Sequence, residues 1–552
     1  MLQPYFSERA LLGWWTADGH TTQVEDTAIH DALVHINRPI YLMEISGNLR
    51  VAYHGVAIIG NTAPPAGTAF PLRGFVPALS PENFGDPIFK SDHRLEYPYL
   101  AGAMANAISG VKLVAAMGNA GMMGFFGAGG LTVDRIEAAI DDLQAQLGET
   151  PHGCNLIHSP YCPELEKATV DLYLRRGVHC VSAAAFLDLT LPLVYYRVKG
   201  LHRDPQGAIV CPNKVVATVS RVEVGRKFFS PPPEKFISRL VTDRFITSEE
   251  AALSQSIPMA SDLTAEADSG GHTDNRAAMA LLPTMLALRD EMQARYNYHR
   301  PLCVGLAGGI ATPESTAAAF AMGAAYVVTG TVNQACIESG TSGTVRRMLA
   351  EASQADVTMA PSADMFEMGV KVQVLKRGTM FALRAAKLYE FYNHYESLEQ
   401  IPASQRTLLE KNYFHQSCEA EWEQTRQFFL TRDPRQIPLA EKDPKHKMAL
   451  VFRSYLGQSC GWAQAGDSSR QIDYQIWCGP AIGAFNEWTR GSFLANPEKR
   501  EVVTVAMNLL MGAAVITRAG WLRGQGICLP PGAGNFPPAP LWQLKEYMGE
   551  PE

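Results

Sequence analysis

From residue 96 onward the chain alternates short, continuously apolar runs with longer stretches in which apolar residues recur every three or four positions. Eight runs can be counted: YPYLAGA (97–103), AGMMGFF (120–126), HGCNLI (152–157), VHCVSAA (178–184), KVVATVS (214–220), MASDLTAEA (259–267), LCVGLAGG (302–309) and AAYVVTG (324–330). An apolar run without alternation predicts a strand covered on both faces, and the intervening helical period predicts what covers it. ANAISGVKLVAAMG follows the first run, TVDRIEAAIDDLQAQLG the second with Thr132 placed as N-cap, and CPELEKATVDLYLRRG the third; PESTAAAFAMG precedes the eighth. Eight such units in roughly 240 residues predict an α/β fold, a (β/α)8 TIM barrel rather than an open doubly wound sheet.

The flanks have a different texture. Residues 1–95 read as mixed strand and loop, with β-rich runs (PIYLMEI, LRVAYHGVAII) followed by NTAPPAGTAFPL, whose prolines and glycines mark a linker or irregular excursion. The barrel is expected over 96–360. Residues 361–552 form a mainly helical C-terminal region, because LRAAKLYEFYNHY, RTLLEKNYF and AEWEQTRQFFL carry apolar and aromatic residues at three-to-four spacing. The proline-rich LPPGAGNFPPAPLW near the end reads as irregular.

Composition narrows the classes of function. Hydrophobic residues are 47% and charged residues 19% of 552, the balance of a folded globular chain. A net charge of -7 leaves no basic footprint for nucleic acid. No run reaches the ~18 uninterrupted apolar residues expected of a membrane helix. The opening MLQPYFSERALLGWW lacks a basic n-region and reads as no signal peptide, so a cytoplasmic protein is expected. Its ten cysteines include no CxxC pair, which argues against a zinc ribbon; they are expected to be reduced, small core residues, and no metal site is indicated.

In a parallel barrel the chemistry sits at the C-terminal strand ends. The first strand runs into Gly102-Ala103-Met104-Ala105-Asn106, small residues that admit a flat ligand to the backbone. The seventh ends in Gly308-Gly309-Ile310-Ala311 ahead of a helix near Pro313, and the eighth in Gly330-Thr331. Two glycine-containing ends on adjacent strands, beside a helix start, read as a phosphate site. No GxxxxGK[ST] and no GxGxxG opens the first βα unit, so neither a Walker ATPase nor a Rossmann dinucleotide fold is supported. The sixth strand ends in Asp268-Ser269-Gly270-Gly271-His272-Thr273-Asp274. An imidazole after two glycines, on the catalytic face, suits proton transfer or contact with an electron-rich ring. Asp268 and Asp274 are placed to orient it or to cap the following helix, capping being expected of Asp274.

Between the fifth and sixth strands, near 221–258, lies a basic segment with Arg221, Arg226, Lys227, Lys235 and Arg239 around Pro232-Pro233. It reads either as a solvated helix flank or as a lid or docking surface for an acidic partner on the catalytic side.

These motifs resemble a known family. GAMA (102–105), SGGH (269–272), AGGIA (307–311) and TGT (329–331) are similar to the FMN barrels of nitronate monooxygenases and enoyl reductases. ADSGGHTDNR (267–276), DMFEMGVKVQVLKRGTMF (364–381), DPKHKMALVFRSYLG (443–457) and DYQIWCGPAIGAFNEW (473–488) resemble more closely the trans-acting enoyl reductases of polyunsaturated fatty acid and polyketide synthases. The nitronate monooxygenase pattern has Glu-Ala where Asp268-Ser269 stand and Gly where Asp274 stands. The resemblance implies FMN across the barrel mouth, its phosphate at Gly308, Gly309, Gly330 and Thr331. Its ring would lie near Ala103, Met104, Asn155 and His272, with Gly270 and Gly271 also in contact. It further implies NADPH as donor, His272 as the catalytic residue, and an enoyl thioester on an acyl carrier protein as substrate. Nitronate oxidation is the alternative activity, and aromatic-rich C-terminal helices leave a homodimer open.

Overall fold

Eight parallel strands close into a barrel at the eight apolar runs: β1 (Tyr99–Ala101), β2 (Met123–Phe126), β3 (Gly153–Ile157), β4 (Cys180–Ala184), β5 (Lys214–Val219), β6 (Asp262–Glu266), β7 (Cys303–Ala307) and β8 (Val327–Thr329). The computed structural model describes residues 11–17, 29–46, 48–60, 62, 69–158 and 163–549. Closure is made by β8 on β1, with Val327 opposite Tyr99 and Thr329 opposite Ala101. The helices that follow the strands are α1 (Val111–Asn119), α2 (Val133–Leu147), α3 (Pro163–Arg175), α4 (Leu191–Val198), α5 (Val222–Phe229), α6 (Ala278–Tyr296), α7 (Pro313–Ala321) and the short α8 (Thr331–Gln334). Thr132 stands at the N-cap of α2, but its hydroxyl makes no capping hydrogen bond.

The lower end of the barrel is closed by charge as well as packing. The helix Pro87–His93 places Phe89 against Tyr326, ring centroids 4.1 Å apart. His93 Nε2 lies 2.9 Å from Asp262 Oδ2 at the start of β6, and Arg300 Nη2 donates to Asp262 Oδ1 at 2.7 Å. Arg300 Nε also reaches Asp92 at 3.2 Å, and Lys214 Nζ is 3.0 Å from the same carboxylate. Burial alone would raise the Asp262 pKa, but Arg300 and His93 hold it well below the usual carboxylate range. Two carboxylates, a histidine and two cations thus neutralise one another beneath the strands.

Around this core the flanks depart from the sequence expectation in two places. The N-terminal region is a five-stranded antiparallel sheet, in the order Asn48–Ala52, Ile40–Ile45, Ala69–Val76, Gly13–Thr16, Val56–Ile59. Part of the stretch read as an irregular excursion is therefore its central strand; residues 61 and 63–68 lie outside the described residues. Pro71 is tolerated there because it pairs only with Trp14, while pairing with the strand at 40–45 begins at Leu72 and slips past Arg73. The opening ten residues and Cys162 also lie outside the described residues. Of the cysteines described, seven are buried as expected, but Cys211 is half-buried and Cys528 exposed; none is disulfide-bonded.

The C-terminal region opens with an antiparallel pair, β9 (Val357–Pro361) and β10 (Lys371–Leu375), before helices α9 (Phe381–His394), α10 (Cys418–Arg432), α11 (Pro444–Ala465) and α12 (Val502–Gly524). Phe366, Phe381, Leu388, Phe452 and Tyr455 belong to a second core under these helices. Helix α12 is long and apolar enough to cross a membrane by length and composition, with mean hydropathy 1.7, yet 83% of that window is buried inside the fold. Its Arg518 donates to the carbonyls of Leu33 at 2.8 Å and His35 at 3.0 Å, tying it to the N-terminal region. Its Gly512 lets it press on the start of α7, since a Cβ there would lie 2.5 Å from Pro313.

The segment near 221–258 is helical, over Val222–Phe229, Glu234–Thr242 and Ser248–Ser254. Ala260 and Met259 donate to the carbonyls of Phe228 and Ser230, so α5 runs from the mouth to the start of β6 as an ordinary barrel helix. Four of its five basic side chains are already paired: Arg226 with Glu291, Lys227 with Asp188 at 2.9 Å, Arg239 with Asp243 and Arg221 with Asp274, while Lys235 lies over the Phe236 ring. Side chains committed to neighbouring carboxylates offer little attraction to an acidic partner.

The base of the barrel yields a stability prediction. Arg300→Met should leave the Asp262 carboxylate buried with only His93 as partner and cost about 3–5 kcal/mol. Urea denaturation at neutral pH measures it, and adding Asp262→Asn in the same chain should recover part of the loss.

Candidate active site at the barrel mouth

A cavity of about 1310 Å³ opens over the C-terminal ends of the strands. Leu100, Phe125 and Val216, which point up from the barrel interior, form its floor. Its roof comes from the β9–β10 connection, from Phe428 and Arg432 of α10, from Arg453 and Gln458 of α11, and from Trp477 and Gly479. Of the basic segment only Ser220, Arg221 and Val224 reach it.

One side of the cavity is an anion cradle. Gly308 and Gly309 have φ of +82° and +79°, the left-handed region that only glycine enters freely. A Cβ on Gly308 would meet the Ala267 carbonyl at 2.7–2.8 Å, whereas one on Gly309 or Gly330 would project into open space. Among the described residues the amides of Gly309, Ile310, Gly330 and Thr331 find no acceptor. The Thr331 hydroxyl accepts from the Gly479 amide at 3.2 Å, so the cradle is joined to the roof. Unpaired amides with no side chain in front of them suit a phosphate dianion.

Ala103, Met104 and Asn155 line the same cavity. The Met104 amide donates to Ser109 Oγ at 2.8 Å and the buried Asn155 donates Nδ2–H to the Ser182 carbonyl at 3.1 Å, so both are held in place. Asn106 and Ala107 take φ of 57° and 58°, turning this loop so that Asn106 Nδ2 reaches Cys460 Sγ on α11 at 3.3 Å.

The loop carrying Gly270, Gly271 and His272 is fastened on two sides. A Cβ on Gly270 would lie 2.8–3.0 Å from the Cys478 backbone, and one on Gly479 would lie 2.9 Å from the Gly270 nitrogen. Glycine therefore faces glycine at van der Waals distance. Gly271 and His272 add a two-residue strand to β10, opposite Gln373 and Val372. His272 Nε2 is 3.2 Å from Asp364 Oδ1 and 3.2 Å from Ser362 Oγ, and the Ser362 hydroxyl also donates to Asp364. Burial opposes charge on the imidazole, but Asp364 and Glu266 together hold its pKa above the ordinary value. Asp364 is depressed to about 2: desolvation works against this, and the His272 contact outweighs it.

The two aspartates flanking the loop do something else. Asp268 accepts from Asn275 Nδ2 and Gln373 Nε2, each at 2.8 Å, which fixes the loop to β10. Asp274 accepts from Arg221 Nε at 2.9 Å and Ser220 Oγ at 2.6 Å, and the Arg221 contact leads in lowering its pKa to about 2. Ala277, not Asp274, is the N-cap of α6, so the capping role does not hold.

Four side chains that meet the His272 loop escaped the sequence: Asp364, Ser362, Gln373 and Glu266. Asp364 stands first in the DMFEMG string, which is distinctive but carries no sign of its partner. Glu266, the last residue of β6, lines the cavity with Oε1 accepting from Ser269 Oγ at 3.1 Å, and desolvation pushes its pKa up to about 7. A carboxylate closing an apolar barrel strand was the available signal.

Two outcomes are expected from this geometry. Gly270→Ala should force the loop off the Cys478 backbone and destabilise the fold by about 1–3 kcal/mol, read by thermal denaturation. Asp364→Asn should lower the His272 pKa, read by NMR titration of the imidazole. Asp364 gains from the pair above its ordinary 3.8 and His272 below its ordinary 6.5, so the stability difference between wild type and this variant should be fullest between those values. It should fade as pH rises through the raised His272 pKa, or falls towards 2.

Comparison with known proteins places these features. Residues 88–174 match the nitronate monooxygenase family model, and residues 395–474 match the inserted helical domain of [acyl-carrier-protein] S-malonyltransferase. Polyketide biosynthesis protein PksE of Bacillus subtilis is 44% identical over 445 residues, 80% of this chain and 58% of the relative. A polyunsaturated fatty acid synthase polypeptide of Thraustochytrium is 44% identical over 448 residues, 80% of this chain and 30% of the relative. The chain thus spans less than two thirds of either relative. The crystal structure of the enoyl reductase domain of MlnA, from the macrolactin cluster of Bacillus amyloliquefaciens, superposes with a TM-score of 0.76 at 37% identity, covering 80% of this chain and 99% of that domain. With barrel, roof and sequence shared across nearly that whole domain, the chain belongs to the family of the MlnA enoyl reductase domain.

Proposed function

We propose that this chain is an FMN- and NADPH-dependent reductase of trans-2-enoyl thioesters borne on acyl carrier proteins, acting in trans within a polyketide or polyunsaturated fatty acid assembly system. The observation that carries it is the pairing, in one cavity, of an anion cradle with a carboxylate-held imidazole. The cavity, about 1310 Å³, exceeds the ~300–1,000 Å³ usual for one small ligand and has room for a cofactor and an acyl chain together.

The residues present suit FMN. Gly308, Gly309, Gly330 and Thr331 would hold its phosphate, with Gly270 and Gly271 giving the backbone room for close approach, and Ala103, Met104 and Asn155 would border its ring. Bound there, FMN would supply hydride chemistry, with NADPH as the source of its electrons. The chain's own work is to fix the thioester and manage the proton. His272, held by Asp364, either polarises the thioester carbonyl or delivers the proton to the α-carbon. The hairpin and helices of the roof overhang the cavity and add Phe428 and Trp477 to its lining.

An absorption spectrum of the purified protein tests this first: flavin peaks that bleach with NADPH and recover with a crotonyl thioester are expected. A colourless protein that takes up no FMN on reconstitution rules the proposal out, and oxygen uptake with a nitroalkane in place of thioester reduction assigns the nitronate activity instead. Gly309→Ala should weaken FMN binding at least ~10-fold, because its Cβ enters the cradle, while the backbone strain costs only about 1–3 kcal/mol. His272→Ala should retain the flavin spectrum and lose ~10²-fold or more in turnover.

A further inference from the structure

A second histidine faces the cavity across the barrel from the glycine pair. His158 follows β3, which lies four strands from β7 and its glycine pair in the closed order. Its Nδ1 is 2.9 Å from Glu166 Oε2, and Glu166 is a buried carboxylate whose other oxygen accepts from the Thr190 hydroxyl. The Phe186 ring stacks on the imidazole with centroids 5.3 Å apart. One nitrogen and one face are therefore fixed, and 26% of the side chain remains exposed in the cavity. Among the described residues Nε2 has no hydrogen-bond partner. His272 shows the reverse arrangement, with Nε2 bound to Asp364 and Nδ1 left over.

We propose that His158 is the proton donor of the reduction and that His272 holds the thioester carbonyl oxygen. This rests on the enoyl-reductase function proposed above. Hydride addition at the β-carbon moves the π pair of the double bond onto the α-carbon and oxygen, leaving an enolate. That enolate makes two demands in different directions. Its oxygen is stabilised by a donor lying near the carbonyl plane, whereas its α-carbon accepts a proton only along the π lobe, perpendicular to that plane. One imidazole cannot satisfy both. The cavity supplies two, each oriented by a carboxylate and each with a nitrogen to spare. The donor is the imidazolium: its Nε2–H bond breaks, the proton forms the new α-carbon–hydrogen bond with the enolate pair, and the neutral ring left with Nδ1–H on Glu166 takes a proton back at Nε2 from solvent. Glu166 and Thr190 are positioning residues for this step, because they set which nitrogen faces the cavity.

The test is stereochemical. In D2O, wild-type enzyme with NADPH and a crotonyl N-acetylcysteamine thioester should place deuterium on one face of the α-carbon, read by NMR after the product acid is converted to an ester of a chiral alcohol. His158→Gln should lose ~10²-fold in turnover and scatter deuterium over both faces, with FMN content, melting temperature and KM within about twofold of wild type. Free imidazole should restore rate to His158→Ala. His272→Ala should lose turnover but keep the single configuration. Glu166→Gln, which keeps the side chain's size but can accept only one of the two hydrogen bonds, serves if the His158 variants fold poorly, and should show the same scatter at a reduced rate. A His158→Gln or Glu166→Gln enzyme of wild-type rate and configuration overturns the proposal. A wild-type enzyme that does not oxidise NADPH with the thioester overturns the enoyl-reductase function itself.

Discussion

The structure turns on a contact between two backbones. Gly270, on the loop after the sixth barrel strand, lies against Cys478 and Gly479, and neither glycine has room for a methyl group. A side chain on either would push the helical region away from the barrel by the width of that group. Everything above the strand ends follows from this closeness. The two-residue strand at Gly271–His272 can join β10, Gln373 can reach Asp268, and the Gly479 amide can reach Thr331. The cavity is thus enclosed between barrel and roof, with ligand-facing groups contributed by both.

Much of the architecture was legible because it is periodic. Continuous apolar runs separated by amphipathic stretches leave a barrel as the simplest solution, and all eight runs contain the strands that close it. Glycine pairs were legible for a different reason: they mark backbone conformations that other residues resist, and Gly308 and Gly309 occupy them. What could not be read was pairing across distance. Asp364 meets His272 through a hairpin joined to the loop by only two residues of strand, too short to leave any period. The central strand at 69–76 was hidden by Pro71 and Gly74, whose usual meaning is a break. The basic segment misled because composition counts charges without their partners. Arg226 and Lys227 are bound to Glu291 and Asp188 from other elements.

The two ends of the barrel use charge in opposite ways. At the base, Asp92, His93, Asp262, Lys214 and Arg300 satisfy one another in a closed group, and the result is rigidity. At the mouth, each acid–imidazole pair is satisfied on one side only. Glu266, at the end of β6, is pushed up to a pKa of about 7 by desolvation, which outweighs Ser269 and His272. A closed group fixes the strands; open pairs leave protons available.

The glycine contact also sets the order in which the molecule can be completed. The barrel's last strand ends at Thr329, yet the loop bearing His272 finds its backing only at residues 477–479, some 200 positions later in the chain. Contacts of such sequence separation form late, since the intervening chain must first be closed into a loop. As the polypeptide leaves the ribosome, the barrel can assemble while the loop bearing His272 still lacks its backing at Cys478 and Gly479. The loop therefore gains its full backing only when the segment around Trp477 docks, and a barrel without that segment leaves Gly270 and Gly271 facing solvent where a second backbone should lie.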